Sequence, residues 1–368
     1  MSNSAPELSR RENNLDAIRV VAAVAVIVGH AFVLTNSGFQ PRLLGIDLQT
    51  LGVDVFFIIS GYLITRSWAR RPHFASYLSA RALRIFPALI LVTLLSVGIL
   101  GPALTSGGLG AYVRDPRTWE FLKNILLQPT WFLPGVFDSN PYQGVVNGSL
   151  WSLPVEFACY LIVPILMLLP GRWKIPAVVL FGLVSAICVF ALSAPVFLYG
   201  FVLQQAVEPW VFFAGGMLCA LVLDRTSFRV APALVIVAAL FAIGLLVPQA
   251  SRIAAWITLP YALLSLGLAS TPIVRRVSRY GDFSYGLYIY AFPVQQTFVA
   301  IFGVVLLPVN IVAVITISAA FAAASWYLVE SPALRLKVRL ERRLSSVNLR
   351  GLDTNLSHAH GIVGEDGR

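Results

Sequence analysis

Leu15-Asp-Ala-Ile-Arg-Val-Val-Ala-Ala-Val-Ala-Val-Ile-Val-Gly-His30 is an apolar run interrupted by three ionisable side chains, Asp16, Arg19 and His30. A helix needs about 17–25 such residues to cross the hydrocarbon core of a bilayer, and the run reaches that length by Thr35. Arg10 and Arg11 precede it, as basic residues precede the apolar core of a signal peptide. It is too long for such a core, however, and a second apolar run soon follows, so it reads as a retained transmembrane helix. Arg19 and His30 are eleven residues apart, which at 100° per residue returns them to within about 20° of the same face. At the helical rise they stand ~16 Å apart along the axis. One face of the first span thus carries a guanidinium near one end and an imidazole near the other.

The rest of the chain follows the same pattern. Of its 368 residues 58% are hydrophobic and only 12% charged, with a mean hydropathy of +0.79. A soluble domain carries about 25% charged residues, so a single soluble core is excluded. By length and apolarity the sequence predicts about ten spans. They lie at Asp16–Thr35, Thr50–Trp68, Leu83–Gly101, Gly148–Leu169, Ile175–Ser193, Ala206–Leu223, Val230–Val247, Ile253–Ser270, Ser284–Phe302 and Leu307–Val329. The expected fold is an all-α, polytopic transmembrane helix bundle over residues 15–336. A short segment, 1–14, precedes it, and a polar tail, 337–368, expected to be disordered, follows. The three cysteines, Cys159, Cys188 and Cys219, all fall inside apolar runs and read as small packing residues.

The net charge of +10 does not point to nucleic acid, because Lys and Arg cluster between apolar runs instead of lining one polar face. Loop charge instead sets orientation. With both termini in the cytoplasm, nearly all Lys and Arg fall on the inner side, leaving Arg42, Arg114, Arg117, Lys123 and Arg252 on the other. The segment 102–147 is then a long outside loop, rich in aromatics and proline as in Gln128-Pro-Thr-Trp-Phe-Leu-Pro134. Loops of that length are usually functional.

An ionisable group inside a bilayer costs about 2.5–3.5 kcal/mol on insertion scales and is a functional candidate for that reason. Four stand out: Arg19, His30, Asp54 and Glu156. Counted from the outer ends of their spans, His30 and Asp54 lie ~6–7 Å deep and Glu156 ~12 Å, so the three acid–base groups are expected in one layer. A carboxylate that orients a histidine makes it a competent general base. Arg19 read alone is equally a snorkelling anchor, and Asp54 equally a cap at a span end. On the inner side Arg81 and Arg84 share a helical face, with Pro87 expected in the first turn of their span. With Arg66, Arg70 and Arg71 they form a basic rim suited to phosphate. These residues fit either passage of a group from a cytoplasmic donor to an outside acceptor or a proton-coupled transporter or flippase.

Six motifs narrow the choice. Besides Leu15–His30 they are Gly52-Val-Asp-Val-Phe-Phe-Ile-Ile-Ser-Gly-Tyr62, Arg81-Ala-Leu-Arg-Ile-Phe-Pro87, Gly148-Ser-Leu-Trp-Ser-Leu-Pro-Val-Glu156, Tyr280-Gly-Asp-Phe-Ser-Tyr-Gly-Leu-Tyr288, and Glu330-Ser-Pro332 with Arg335. In content and order they resemble the acyltransferase-3 family of bacterial membrane O-acyltransferases, whose hallmark is an Arg, ten residues, then a His. The resemblance implies a multi-pass protein of the bacterial cytoplasmic (inner) membrane. It implies transfer of an acyl group, usually acetyl, from acyl-CoA to a hydroxyl of an envelope or exopolysaccharide sugar, or of a secondary metabolite such as a macrolide. It further implies His30 as general base, Arg19, Glu156 and Asp54 as its support, and Arg81, Arg84 and Arg66 at the CoA. Tyr285 and Tyr288 would line the cavity, with Trp151 and Ser152 at the acceptor. Neither a metal nor nucleic acid is implied. Many relatives carry a further span and a fused outside hydrolase-like domain that this sequence does not show, so it is expected to act alone or with a separate partner. After Glu156 the chain reads Phe-Ala-Cys-Tyr160, where the family more often has a second acidic residue or glutamine.

Overall fold

The computed structural model describes residues 13–275 and 281–336. The expected tail, 337–368, most of the N-terminal segment, and Arg276, Arg279 and Tyr280 lie outside the described residues. Ten long helices stand where the ten spans were expected. They are α1 (Leu15–Leu34), α2 (Leu48–Arg70), α3 (Phe74–Leu95), α4 (Ser152–Met167), α5 (Gly171–Ala191), α6 (Leu203–Val222), α7 (Val230–Leu246), α8 (Pro248–Leu268), α9 (Phe283–Phe302) and α10 (Leu307–Ser325). Single π-turns at Ser96–Leu100 and Trp326–Glu330 extend α3 and α10. Among the described residues eight helical segments are long and apolar enough to cross a membrane, so the chain is a multi-pass membrane protein. The other two depart for identifiable reasons. Helix α7 is apolar but only 17 residues long. Helix α9 has the length, but its composition is lowered by Tyr285, Tyr288, Tyr290, Gln295 and Gln296, all of them buried.

Helix α2 is the hub, packed against α1, α6 and α4. Small residues let the backbones meet where lipid offers no hydrophobic drive for association. A Cβ on Gly61 would fall 2.2 Å from the Phe213 carbonyl oxygen, and one on Gly216 2.2 Å from that of Ile58. On the opposite side Gly52 lies against the backbone of Ala22 and the side chain of Val26 in α1. Helix α3 begins at Phe74, where His73 Nδ1 accepts a hydrogen bond from the Ser76 amide at 3.3 Å. Pro87 is therefore in the helix interior and not in a first turn, and Arg81 and Arg84 sit at mid-helix.

The long loop is an ordered cap. Val97, Tyr112, Phe121, Leu133, Val136, Phe137 and Val146 form a hydrophobic cluster of its own. The Tyr112 hydroxyl donates to the Val97 carbonyl at 2.8 Å, and burial pushes it up to about 12. Asn140 Nδ2 donates to Gln296 and Asn147 Nδ2 to the Ile289 carbonyl, so the end of the loop is tied to the middle of α9. The 3-10 turn Gly148–Trp151 that follows is thereby drawn into the bundle, where Gly148 abuts the Phe292 ring.

Because neither backbone can retreat at the α2–α6 crossing, Gly216→Val should cost about 1–3 kcal/mol by overpacking. A lower thermal midpoint of the purified variant in detergent, with Gly98→Val unchanged as control because open space surrounds Gly98, is the expected result.

Candidate active site

Two of the cavities among the described residues lie close together within the bundle. The larger, about 1140 Å³, is lined by Arg19 of α1, Arg66, Arg70 and Arg71 around the end of α2, Arg81 and Arg84 of α3, and Arg225. Its far wall is Ser60, Ser152, Glu156, Tyr285 and Tyr288. The smaller, about 370 Å³, holds His30 with Gln49, Thr50, Tyr142, Trp151, Glu208 and Phe292. The wall between them is about one helical turn thick on α2 and α9 and a single residue step where the 3-10 turn enters α4. Thr50 faces one cavity and Val53 the other, Trp151 one and Ser152 the other, Phe292 one and Tyr288 the other.

Guanidinium groups so close together inside a bundle need a counter-charge. Asp282, immediately before α9, provides it. Its carboxylate is paired with Arg84 and lies 3.8 Å from Arg19 Nη1, which also contacts Asp16 at 3.1 Å. The Ser284 hydroxyl donates to the other Asp282 oxygen at 2.7 Å. Burial alone would raise the Asp282 carboxyl, but Arg84 and Arg19 outweigh it and hold the group well below the usual carboxylate range. Asp282 lies within the Tyr280–Tyr288 motif, which sequence reasoning read only for its tyrosines. Two further arginines lean on aromatic faces: Arg66 stands 5.7 Å from the Tyr62 ring centre and Arg81 5.9 Å from that of Tyr77. Such contacts leave the guanidinium edges available for other acceptors.

Glu156 projects into the arginine-lined cavity. Its Oε1 accepts from the Tyr160 hydroxyl at 2.6 Å and from the Ser60 hydroxyl at 3.1 Å. Tyr160 and Ser60 together therefore orient this carboxylate. Tyr285 donates to the Ile85 carbonyl at 2.9 Å, and Tyr288 joins Ser152 at 2.7 Å and the Ser149 carbonyl at 2.9 Å.

The structure separates residues that the sequence placed in one layer. Gly29, next to His30, abuts Gln49 at the start of α2, while Glu156 meets Ser60 eleven residues further along it. That is ~16 Å along the helix. The expected layer fails because α4 starts from a turn already inside the bundle and not at its surface. Asp54 lines neither cavity; it is fully buried, and both its oxygens lack a hydrogen-bond partner. The charged groups nearest it are Glu208 and Arg252, which the sequence reading passed over. Arg252 grips Glu208 with two hydrogen bonds of 2.6 Å, and Trp256 Nε1 donates a third at 3.1 Å. His30 Nδ1 is buried without a hydrogen-bond partner, and the ring meets Phe292 edge-on at 5.2 Å. The imidazole thus faces a cavity and not lipid, at the opposite end of α1 from Arg19.

The profile of the acyltransferase-3 family (Acyltransferase domain) matches residues 12–330. Among curated proteins the chain is similar to the O-acetyl transferase of Shigella phage Sf6, 29% identical over 87% of this chain and 95% of that protein. It is similarly related to nodulation protein 10 of Rhizobium leguminosarum, 29% identical over 94% of this chain and 100% of the relative. The peptidoglycan O-acetyltransferase OatA of Listeria monocytogenes is 27% identical over 50% of this chain and 29% of its own length. No solved structure matches.

Removing the shared counter-charge leaves Arg84 without its carboxylate and Arg19 with Asp16 alone. Because Arg84 is partly exposed, Asp282→Asn should destabilise the protein by about 2 kcal/mol at neutral pH, less than the loss of a fully buried partner would. A depressed folded-state pKa means that this contribution is complete above the unfolded value, about 4, and is lost as the pH falls below it. Thermal unfolding in detergent should show the same deficit at pH 7 and pH 5, narrowing only in stronger acid.

Proposed function

We propose that this chain, which belongs to the acyltransferase-3 family, moves an acetyl or other acyl group from acyl-CoA in the arginine-lined cavity to a sugar hydroxyl of an envelope or exopolysaccharide in the histidine cavity. The observation that carries this reading is one helix, α1, offering Arg19 to one cavity and His30 to the other, with a wall of at most about one turn between them. On this reading all ten helices span the bacterial cytoplasmic membrane with both termini inside. The arginine-lined cavity then opens to the cytoplasm, where acyl-CoA resides, and the histidine cavity to the outer face.

Arg66, Arg81 and Arg84 receive the CoA phosphates, for which the forked guanidinium is geometrically suited. The acyl-bearing arm runs along Tyr285 and Tyr288 towards Ser152. Neutral His30 takes the proton of the acceptor hydroxyl as its oxygen attacks the thioester carbon. The new C–O bond forms, the C–S bond breaks, and the proton passes from the imidazolium to the departing thiolate, leaving an ester and free CoA. Glu156, facing the donor cavity, acts on the donor side and not as the partner of the imidazole. Phe56, whose ring meets Tyr288 edge-on at 5.9 Å, and the Ser152–Tyr288 hydrogen bond form the wall through which the thioester must reach His30.

His30→Ala should abolish acceptor-dependent release of CoA while the protein remains in the membrane; near-normal release would end the proposal, and solute movement without thiol release would favour a transporter. Arg81→Gln should raise the KM for acetyl-CoA roughly tenfold with a smaller change in kcat, as expected for a lost charge-assisted phosphate contact. A thiol-reactive dye assay on protein in phospholipid nanodiscs reads both.

A further inference from the structure

The histidine cavity contains more than a base. Tyr142, Trp151 and Phe292 supply aromatic faces, Gln49 an amide, and Glu208 a carboxylate. At about 370 Å³ it is near the lower end of ligand-site volumes, with room for one sugar-sized ring and not for a chain of them. Flat rings beside planar hydrogen-bonding groups suit a molecule with apolar C–H faces and a hydroxyl-bearing rim.

Glu208 is held unusually firmly for a cavity residue. Arg252 binds both of its oxygens, and Trp256 adds a second donor to Oε1, all from α8. Oε2 receives one hydrogen bond and keeps acceptor capacity for another. A simple staple between α6 and α8 would not require the carboxylate to lie on a cavity wall beside His30. Glu156 lies on the other cavity and Asp54 on neither. Among the described residues Glu208 is therefore the carboxylate that meets whatever His30 meets.

We propose that Glu208, fixed by Arg252 and Trp256 on the wall of the histidine cavity, binds a second hydroxyl of a sugar acceptor and so makes the enzyme select a polyhydroxylated ring over a simple alcohol. This rests on the acyl-transfer reading above. Glu208 accepts a hydrogen bond from one ring hydroxyl while a neighbouring hydroxyl is presented to His30, and the aromatic side chains cover the ring's C–H face. A site built to hydrogen-bond such a group discriminates against an analogue that lacks it, because the remaining acceptor capacity of Oε2 then loses water without gaining a partner.

The experiment uses the full chain in nanodiscs with acetyl-CoA, reading free CoA. The acceptors are octyl β-D-glucopyranoside, its galactose and N-acetylglucosamine counterparts, and 1-octanol, which shares only the tail and one hydroxyl. The wild type should favour at least one glycoside over octanol by more than tenfold in kcat/KM. Glu208→Gln combined with Arg252→Met removes both charges of the pair together, which spares the fold an unpaired ion. This double variant should lose at least tenfold of that preference, mainly through KM for the glycoside. Glu208→Asp keeps the charge but withdraws it by one methylene; it should lose the preference as well and serves if the double variant does not fold. Variants that turn over both acceptors with the wild-type ratio overturn the role of Glu208 alone. A wild type that releases CoA with neither glycoside nor octanol overturns the acyl-transfer reading and this inference with it.

Discussion

Two guanidinium groups from different helices, Arg19 of α1 and Arg84 of α3, share the carboxylate of Asp282 at the start of α9. Like charges brought together in a low-dielectric interior repel strongly, and a buried ion without a partner costs several kcal/mol. One anion between the two offsets the repulsion and ties the beginnings of α1 and α9 to the middle of α3. It also leaves the cavity beyond them strongly positive, since Arg66, Arg70, Arg71, Arg81 and Arg225 line the same space. The phosphate-binding role proposed for that pocket depends on this anchoring.

Much of this was legible in the sequence because its signals are local. The length of an apolar run fixes a span, and the eleven-residue interval between Arg19 and His30 fixes their shared face without reference to any other helix. Arg81 and Arg84 were placed on one face for the same reason. The failures concern relations between elements. Glu156 was counted downwards from a surface that α4 does not reach, since Asn140 and Asn147 bind α9 and draw the preceding turn inside. Pro87 was put in a first turn because apolarity, not the backbone, defined where its span begins. Glu208 sits two residues inside its expected span, where a carboxylate near a boundary draws no notice, and its partner Arg252 lies forty-four residues away. No spacing rule connects positions so far apart. Asp282 was quoted in a motif and still overlooked, because a carboxylate between spans has no evident role until the arginines facing it are known.

The family membership constrains the chemistry while the geometry distributes it. On the proposed reaction the donor is a thioester, vulnerable to water, and the acceptor comes from the wet outer face. A single open channel would bring the two into contact and allow hydrolysis in place of transfer. Two cavities that end on opposite sides of a wall avoid this. The wall is made of side chains with definite partners: Ser152 bonded to Tyr288, Tyr288 bonded also to the Ser149 carbonyl, and Phe56 edge-on to the Tyr288 ring.

The composition of that wall also bears on which acyl group can pass. Its donor side is closed by Val53, Phe56, Ser152 and Tyr288, each belonging to a helix that is packed tightly against its neighbours. Helix α2, which carries Val53 and Phe56, is clamped through Gly52 on one side and Gly61 on the other, so its backbone has little freedom to retreat. On the proposed reaction, passage of the thioester relies on rotation of Phe56, since the Tyr288 hydroxyl is held by Ser152 and the Ser149 carbonyl. With α2 unable to retreat, that route favours a small acyl group such as acetyl over a long chain.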